Sequence, residues 1–337
     1  MGEGSKVMSR AVLLPVVGDP YILTAWVKQY SKWAGRVNKL YYYLNGLGSV
    51  NDQVRNYDIS ILSGLGSGFA VTEILEHGQG LATLLAMAVE DHIMFVEEDV
   101  IIHNADMVDK AFRKIEAEEY DIVGSPRFSC SAGILEASKT KYGLDYTGDG
   151  DKGPNFWPNF FFASRELLNK TDLDFCSKTW KKGELIEPLD FTTEQEEAGD
   201  TFVWGSIQLR NLVPQSRIFE IPQGHSGLTD IDDQKAGIGM FDVNTGWIHL
   251  GSLSSTALQN YLFAGRAMPE ANSEIEIREW ERRLAWVLTI YEVAKADVEA
   301  YGIKTNYESK VNEMIKARAL SVKNINELKS LYRSYYD

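Results

Sequence analysis

An apolar segment at residues 93–102 is interrupted by three consecutive carboxylates, Glu97, Glu98 and Asp99. The apolar residues are β-formers without a helical period, which predicts a strand buried on both faces. Carboxylates at the end of such a strand are costly to bury unless a cation meets them. Since alternate residues of an extended chain point to the same side, Glu97 and Asp99 are placed to share one hard divalent ion.

Strand-like and helix-like segments alternate around this acidic triplet. The predicted strands are 10–17, 37–44, 59–62, 93–102 and 121–124, and the predicted helices are 21–34, 81–89 and 107–118. Such alternation predicts an α/β fold with a mostly parallel, doubly wound sheet flanked by helices. Sheets of this kind bind ligands at the carboxyl ends of their strands. We therefore favour a metal site over the simpler interpretation, a solvated acidic loop that ends the strand.

The pattern becomes less regular after residue 127. The segment 142–155 is rich in glycine, aspartate and lysine, a composition typical of an active-site loop. The later predicted strands are 159–163, 218–221 and 246–250, and the later predicted helices are 164–169 and 201–210, the second directly after Asp200.

The C-terminal part of the chain is predicted to be a helical extension. Ser273 and Glu276 have the spacing of a capping box, and Gly302 ends the long helix that follows. We expect this helix to be a packing or dimerisation element. The chain is therefore divided into a catalytic domain at 1–268 and a helical extension at 269–337.

The chain carries a formal net charge of −14 over 337 residues, and this charge is uneven. From residue 301 to the C-terminus there are seven basic and four acidic residues, a net charge of +3 that leaves −17 on the rest. An acidic body disfavours non-specific binding to nucleic acid and suits a metal-dependent enzyme.

The two cysteines, Cys130 and Cys176, form neither a zinc-binding pair nor a disulfide framework. No apolar stretch reaches the length of a transmembrane helix, and the first residues lack a signal-peptide pattern. We expect a cytoplasmic protein without a membrane span.

Several short segments, in a fixed order across residues 12–255, carry a family resemblance. They are Leu-Pro-Val-Val (14–17), His-Gly-Gln-Gly-Leu-Ala (77–82), Phe-Val-Glu-Glu-Asp (95–99), Gly-Pro-Asn followed by Pro-Asn-Phe-Phe-Phe-Ala-Ser (153–164), Gly-Asp-Thr (199–201) and Trp-Ile-His (247–249). Together they resemble the GT-A glycosyltransferases, which have a DXD motif and use nucleotide-sugar donors. The resemblance implies a Rossmann-like fold with a nucleotide-sugar half at about 10–125 and an acceptor half at 126–268.

The same resemblance implies the activity and the metal ligands. The enzyme would move a sugar, with inversion, from a UDP-sugar to a hydroxyl of a glycan or lipid-linked saccharide. Glu97-Glu98-Asp99 stands where the family has Asp-x-Asp, so Asp99 would bind Mn²⁺ or Mg²⁺. Glu97 has a longer arm than aspartate, and it would contact either the metal or the ribose. His249 matches a C-terminal histidine ligand of the family, and His225 competes for that role.

Asp200 stands where the family has its catalytic base, which removes the proton of the acceptor hydroxyl. That role needs an ionised carboxylate within hydrogen-bond reach of the hydroxyl. An N-cap of the following helix is the alternative role for Asp200. The family usually has glutamate at the position of Gly199, and Glu196 or Glu197 are the candidates to replace it.

Residues that would contact the nucleotide-sugar lie at strand ends and in loops. They are Pro15, Val16, Val17, Asn45, His77, Gly80, Glu97, Glu98, Trp157 and Asn159, with Asp52 as an alternative to Asn45 for the base. The competing interpretation for Pro15 to Val17 is that they are ordinary core residues of a strand. For Trp157 it is that the side chain only packs against the protein.

Other functions leave different sequence signatures. A nucleotidylyltransferase needs a glycine-rich loop after the first strand, and a dehydrogenase needs Gly-x-Gly-x-x-Gly before a helix; Gly64, Gly66 and Gly68 do not fit that spacing. A non-catalytic nucleotide- or sugar-binding module remains an alternative. So does a glycosyltransferase acting on hydroxymethylated bases in DNA, since basic and aromatic residues interleave at 329–336. We favour a packed helix for that tail.

Overall fold

The computed structural model describes residues 8–16, 19–46, 52–127, 129–144, 153–221, 241–242, 247–249, 274–304 and 307–336. The strands in these residues are β1 (Arg10–Val16), β2 (Lys39–Leu44), β3 (Ser67–Ala70), β4 (His92–Val96), β5 (Val100–Ile102), β6 (Ile122–Arg127), β7 (Asn155–Ser164), β8 (Lys178–Trp180), β9 (Leu185–Ile186), β10 (Phe191–Thr192), β11 (Glu197–Gly199), β12 (Ile218–Glu220), β13 (Phe241–Asp242) and β14 (Trp247–His249). The helices are α1 (Pro20–Trp33), α2 (Asp52–Ser63), α3 (His77–Met87), α4 (Ala105–Glu116), α5 (Ala132–Tyr142), α6 (Arg165–Leu168), α7 (Val203–Leu212), α8 (Glu274–Ala300), α9 (Tyr307–Ala317) and α10 (Val322–Arg333).

Among the described residues, seven strands form the central sheet in the order β12-β6-β7-β4-β1-β2-β3. Neighbouring strands are parallel except where β7 pairs with β4 and with β6. Helices cover both faces: α1 and α4 pack on one, and α3 and α7 pack on the other. The prediction of a mostly parallel sheet flanked by helices, with a C-terminal helical extension, is confirmed.

Strand β4 shows why the sheet needs cover on both sides. All five of its side chains are buried. Ile93 and Phe95 belong to the core beneath α3, and Met94 and Val96 belong to the core beneath α1 and α4. The predicted burial of this strand on both faces is confirmed.

The strand predicted at 93–102 is interrupted at the carboxylates as the sequence indicates, but the chain turns there and does not resume in the same sheet. The N–H of Val100 donates to the carbonyl of Glu97 at 3.1 Å and closes a turn between β4 and β5. Strand β5 leaves the central sheet and joins a smaller one with β13 and β14. The turn places the acidic triplet at the carboxyl end of β4, between the two sheets.

Other segments also differ from the sequence prediction. The strand predicted at 59–62 lies within α2, whose buried residues Val54, Tyr57, Asp58 and Leu62 follow helical spacing. A short apolar run does not distinguish a strand from one face of a helix, which explains the error. Helix α5 was not predicted, since its residues have little amphipathic pattern.

The C-terminal helices pack directly against the rest of the protein. Residues Tyr21 and Ile22 of α1 share one core with Leu284 and Ile290 of α8. Gly302, at φ +92°, lies just beyond the end of α8. The predicted capping residue Ser273 lies outside the described residues. In the described part of the chain, none of the helices is long and apolar enough to span a bilayer.

Candidate metal-binding site

Glu97, Asp99 and His249 come together at the carboxyl end of β4. One ligand atom from each lies within 4.8 Å of the others. The Nε2 atom of His249 is 3.2 Å from Oε2 of Glu97 and 3.3 Å from Oδ1 of Asp99. Asp99 is 3% exposed and His249 is 1% exposed, so the cluster is largely shielded from solvent.

Strand pairing brings His249 to the two carboxylates. Strand β14 pairs antiparallel with β5, and His249 lies opposite Val100, the residue after Asp99. Trp247 anchors β14, because it is buried and stacks on Phe160 of β7 with ring centroids 4.9 Å apart. The site is thus formed by one turn of the central sheet and one strand of the smaller sheet.

The carboxylates change the proton affinity of His249. Burial alone lowers the pKa of the imidazole, but the negative charges of Asp99 and Glu97 outweigh burial and raise the pKa to about 9. Neither ring nitrogen makes a hydrogen bond of good geometry within the described residues. A metal ligand must be a neutral imidazole, so a cation at this position would take the place of the proton.

The donor set fits a divalent cation. Two carboxylates and one imidazole match the ligand preferences of Mn²⁺, and carboxylate oxygens are also the ligands of Mg²⁺. Two like charges held this close in a shielded site need a counter-charge, which a cation supplies. The three residues that the sequence singled out for metal binding are those that the fold assembles.

No family model matches the chain, and no curated protein sequence matches it. The solved structures to which it is similar include glucosyl-3-phosphoglycerate synthase from Mycobacterium tuberculosis in complex with Mn²⁺, uridine diphosphate and glucosyl-3-phosphoglycerate. The sequence identity is 14%, the similarity covers 68% of this chain and 77% of that chain, and the TM-score is 0.41. Another is mannosyltransferase PcManGT from Pyrobaculum calidifontis in complex with GDP-Man and Mn²⁺. The sequence identity is 12%, the similarity covers 98% of this chain and 86% of that chain, and the TM-score is 0.43. The functional assignment therefore depends on the geometry of the metal cluster.

Two side chains lie near Oε1 of Glu97, the oxygen that does not face His249. The indole N–H of Trp157 donates to Oε1 of Glu97 at 3.2 Å. Nε2 of His77, the first residue of α3, lies 3.8 Å from the same oxygen. The ring of Trp157 also faces His249, with centroids 5.6 Å apart and planes inclined by 61°. Trp157 and His77 therefore border the metal cluster.

Glu98 is buried next to Glu97 and Asp99, and Asn159 is buried on β7. Burial raises the pKa of Tyr43, and the charges of Glu97 and Glu98 raise it further, so both carboxylates lie near this phenol. The sequence analysis did not identify Tyr43 as a residue near the site. Its position near the carboxyl end of β2 was a usable signal, because sheets of this kind bind ligands at that end of their strands. Asn159 is fully buried on β7, and neither its amide nitrogen nor its amide oxygen has a hydrogen-bond partner among the described residues.

Asp200 is exposed at the end of β11, where its backbone N–H donates to the carbonyl of Ser129. Its Oδ1 accepts from the N–H of Thr201 at 2.8 Å. The N-cap role considered for Asp200 is wrong, because α7 begins at Val203 and Phe202 occupies the cap position. The exposed carboxylate is thus available to a ligand.

The loop of Asp200 is tied to the strand that carries Trp157. The amide nitrogen of Asn155, the first residue of β7, donates to the carbonyl of Thr201 at 3.2 Å and to Oγ of Ser129 at 2.7 Å. Asn155 also accepts from Oγ of Ser206 in α7 at 2.9 Å. The candidate base and the border of the metal cluster therefore share one scaffold.

Several predicted nucleotide contacts have packing roles in the structure. Val16 lies in the core beneath α1, and Pro15 is buried opposite Tyr43 in the register of β1 with β2. A Cβ atom on Gly80 would lie 2.1 Å from the Tyr43 ring, so this glycine permits close packing of α3 on β2. Val17 and His225 lie outside the described residues.

The two candidates for base recognition are both engaged with the protein. Asn45 exchanges two hydrogen bonds with the backbone of Leu75, at 2.8 and 2.7 Å, and pins the segment before α3. Asp52 is exposed at the start of α2 and pairs with Arg55 at 3.0 Å.

A cavity of about 850 Å³ lies beside α5, away from the residues of the metal cluster. It is lined by Glu197, Phe191, Thr140 and neighbouring residues. Glu197 is buried against Gly133, while Asp200 is exposed. Glu196 is exposed in the loop before β11. Of the two glutamates considered as partners of Asp200, Glu197 is therefore placed under α5.

Proposed function

We propose that the protein is a divalent-metal-dependent glycosyltransferase that moves a sugar, with inversion, from a UDP-sugar to a hydroxyl group of a glycan or lipid-linked saccharide. The observation that carries this proposal is the convergence of Glu97, Asp99 and His249 at the carboxyl end of β4. Open α/β sheets bind ligands at that edge. The order of short segments that resembles the GT-A enzymes agrees with this position.

Glu97, Asp99 and His249 would hold Mn²⁺ or Mg²⁺ beside the donor diphosphate. The bound cation would neutralise the charge that develops on the diphosphate as it leaves. His77 and Glu98 lie close enough to the cluster to contact the donor. The amide nitrogen and the amide oxygen of Asn159 would both be available to hydrogen-bond the donor.

Asp200 would act as the general base. Its exposed carboxylate would accept the proton of the acceptor hydroxyl as that oxygen attacks the anomeric carbon. The hydrogen bonds of Asn155 would hold the loop of Asp200 at a fixed position relative to Trp157 and the metal cluster.

The charge of the chain supports a neutral acceptor over DNA. A net charge of −14 opposes the approach of a polyanion. In addition, Tyr332 of the basic tail is buried and stacks on Trp286, with ring centroids 3.8 Å apart. A tyrosine in that position cannot stack on a base without unpacking α10.

Under this proposal the chain is divided as the sequence suggests. The nucleotide-sugar half would occupy about 10–125, the acceptor half 126–268 and the helical extension 269–337. The metal ligands would come from both halves, since His249 belongs to the second.

The deciding experiment combines metal binding with donor hydrolysis. Binding of Mn²⁺ is measured by electron paramagnetic resonance, and a panel of UDP-, GDP- and dTDP-sugars is tested for hydrolysis with Mn²⁺ and with EDTA. We expect Mn²⁺-dependent hydrolysis, with UDP-sugars preferred, and loss of both metal binding and hydrolysis in Asp99→Asn.

Asp106→Asn is the matched control, because Asp106 is an exposed carboxylate whose ion partner, Arg36, lies outside the cluster. It should behave like the wild type. Hydrolysis that persists in EDTA, or unchanged Mn²⁺ binding in Asp99→Asn, would overturn the proposal. Mn²⁺ and nucleotide binding without any turnover would favour the non-catalytic binding module.

A further inference from the structure

The two oxygens of the Glu97 carboxylate have different surroundings. Oε1 accepts the indole N–H of Trp157 at 3.2 Å. Oε2 faces His249 Nε2 at 3.2 Å, inside the metal cluster. A carboxylate with one oxygen held by a protein donor presents the other in a fixed direction. The hydrogen bond from Trp157 therefore holds the Glu97 carboxylate with one oxygen facing the cation position.

The same indole also contacts a second member of the cluster. Its ring lies 5.6 Å from the imidazole of His249, with an interplanar angle of 61°. Rings at this distance and inclination pack edge to face. One side chain of β7 thus touches two of the three candidate ligands, which come from separate parts of the chain.

The length of the Glu97 side chain explains why a hydrogen bond that orients it would matter. Glutamate has one more rotatable bond than aspartate and loses more side-chain entropy when it is fixed. Hydrogen bonds from neighbouring groups to a metal ligand set its orientation and contribute to metal affinity. Among the described residues, Trp157 donates a hydrogen bond to Glu97, while Nε2 of His77 lies farther away at 3.8 Å.

We propose that Trp157 is a positioning residue of the metal site, which fixes Glu97 as a one-oxygen ligand through Oε2 and limits rotation of His249. This role depends on the metal site proposed above. It differs from a sugar-stacking role for the same tryptophan, because it predicts an effect on cation affinity in the absence of any sugar.

The chain offers a matched control for the substitution. Trp204 lies on α7, outside the metal cluster. Its indole N–H donates to Oδ2 of Asp172 at 2.7 Å. Trp157→Phe and Trp204→Phe each remove one indole donor from one carboxylate and keep an aromatic ring. A general effect of losing such a bond would appear in both variants.

The experiment titrates MnCl₂, alone and with UDP, into wild type, Trp157→Phe and Trp204→Phe, with free Mn²⁺ followed by electron paramagnetic resonance. We expect Trp157→Phe to weaken Mn²⁺ binding roughly 10-fold or more, in the range seen for groups that orient metal ligands. Trp204→Phe should bind like the wild type. In EDTA, Trp157→Phe and wild type should have the same melting temperature. A lower melting temperature in the variant would indicate a folding defect instead of a positioning role.

A double-mutant cycle with Glu97→Gln tests whether Trp157 acts through Glu97. Residues in one hydrogen-bonded network give non-additive effects. We expect Trp157→Phe to weaken Mn²⁺ binding less in the Glu97→Gln background than in the wild type, with the remaining effect acting through His249. Unchanged Mn²⁺ affinity in Trp157→Phe, or a fully additive cycle, overturns the inference and leaves the metal site standing. A wild type that binds no Mn²⁺ overturns both the site and this role.

Discussion

His249 lies opposite Val100 in the pairing of β14 with β5, and this register places its Nε2 atom 3.3 Å from Oδ1 of Asp99. A shift of one residue in the register would turn the imidazole to the other face of the small sheet. The metal cluster therefore depends on strand pairing as much as on the acidic triplet.

His249→Gln should weaken Mn²⁺ binding by at least as much as the loss of an orienting neighbour, about 10-fold or more. The substitution removes the imidazole nitrogen donor, and the neutral amide that replaces it is a poorer ligand for Mn²⁺. Titration by electron paramagnetic resonance measures the change. His103→Gln is a suitable control, because His103 contacts Tyr335 outside the cluster. Equal Mn²⁺ affinity in His249→Gln and wild type would show that His249 is not a ligand.

Asp200→Asn should abolish turnover and leave donor binding unchanged. An amide keeps the acceptor for the N–H of Thr201 but cannot take the proton of the acceptor hydroxyl. The measurement compares the rate of transfer with the dissociation constant for the UDP-sugar in the presence of Mn²⁺. Wild-type turnover in the variant would exclude Asp200 as the base, and loss of donor binding would show a different role.

Asp58→Asn should stabilise the protein at pH 8 and have little effect near pH 4. Asp58 is fully buried in α2, and neither carboxylate oxygen has a hydrogen-bond partner among the described residues. Burial and, to a smaller extent, the charge of Asp19 together raise its pKa to about 8. Between pH 4 and pH 8 the folded protein therefore holds a proton that the unfolded chain releases, so this group makes stability fall as pH rises.

Urea unfolding across that pH range provides the check. The difference in unfolding free energy between Asp58→Asn and wild type should grow with pH to the order of a few kcal/mol. Asp52→Asn, on the exposed face of the same helix, should follow the wild type. Parallel pH profiles for Asp58→Asn and wild type would contradict the raised pKa.

Tyr332→Ala should lower the unfolding free energy by about 3 kcal/mol or more, as for other buried aromatic residues. The ring of Tyr332 lies parallel to that of Trp286 and closes the core between α10 and α8. Val322→Ala, an exposed change in the same helix, should stay within about 0.5 kcal/mol of wild type. If Tyr332→Ala unfolds like the wild type, the tail does not pack as described.

The local pattern of the sequence was sufficient for strand β4 and helix α1. The apolar run before Glu97 predicted a strand with both faces buried, and helical spacing predicted α1, because each of these signals lies within a few consecutive residues. Where the local signal was short or weak, as at 59–62 and in α5, tertiary packing decided the element. The same limit applies to the turn at Glu97, since a continuing apolar run gives no sign of where the chain changes sheets.

By itself the sequence determined that carboxylates follow a buried strand, and that such charges need a cation. Only the tertiary structure decided which other residues meet them. His249 joins the cluster through the pairing of β14 with β5. Trp157 reaches Glu97 because β7, which carries it, pairs antiparallel with β4. Contacts between distant segments depend on strand order and register, which hydrophobic periodicity does not encode.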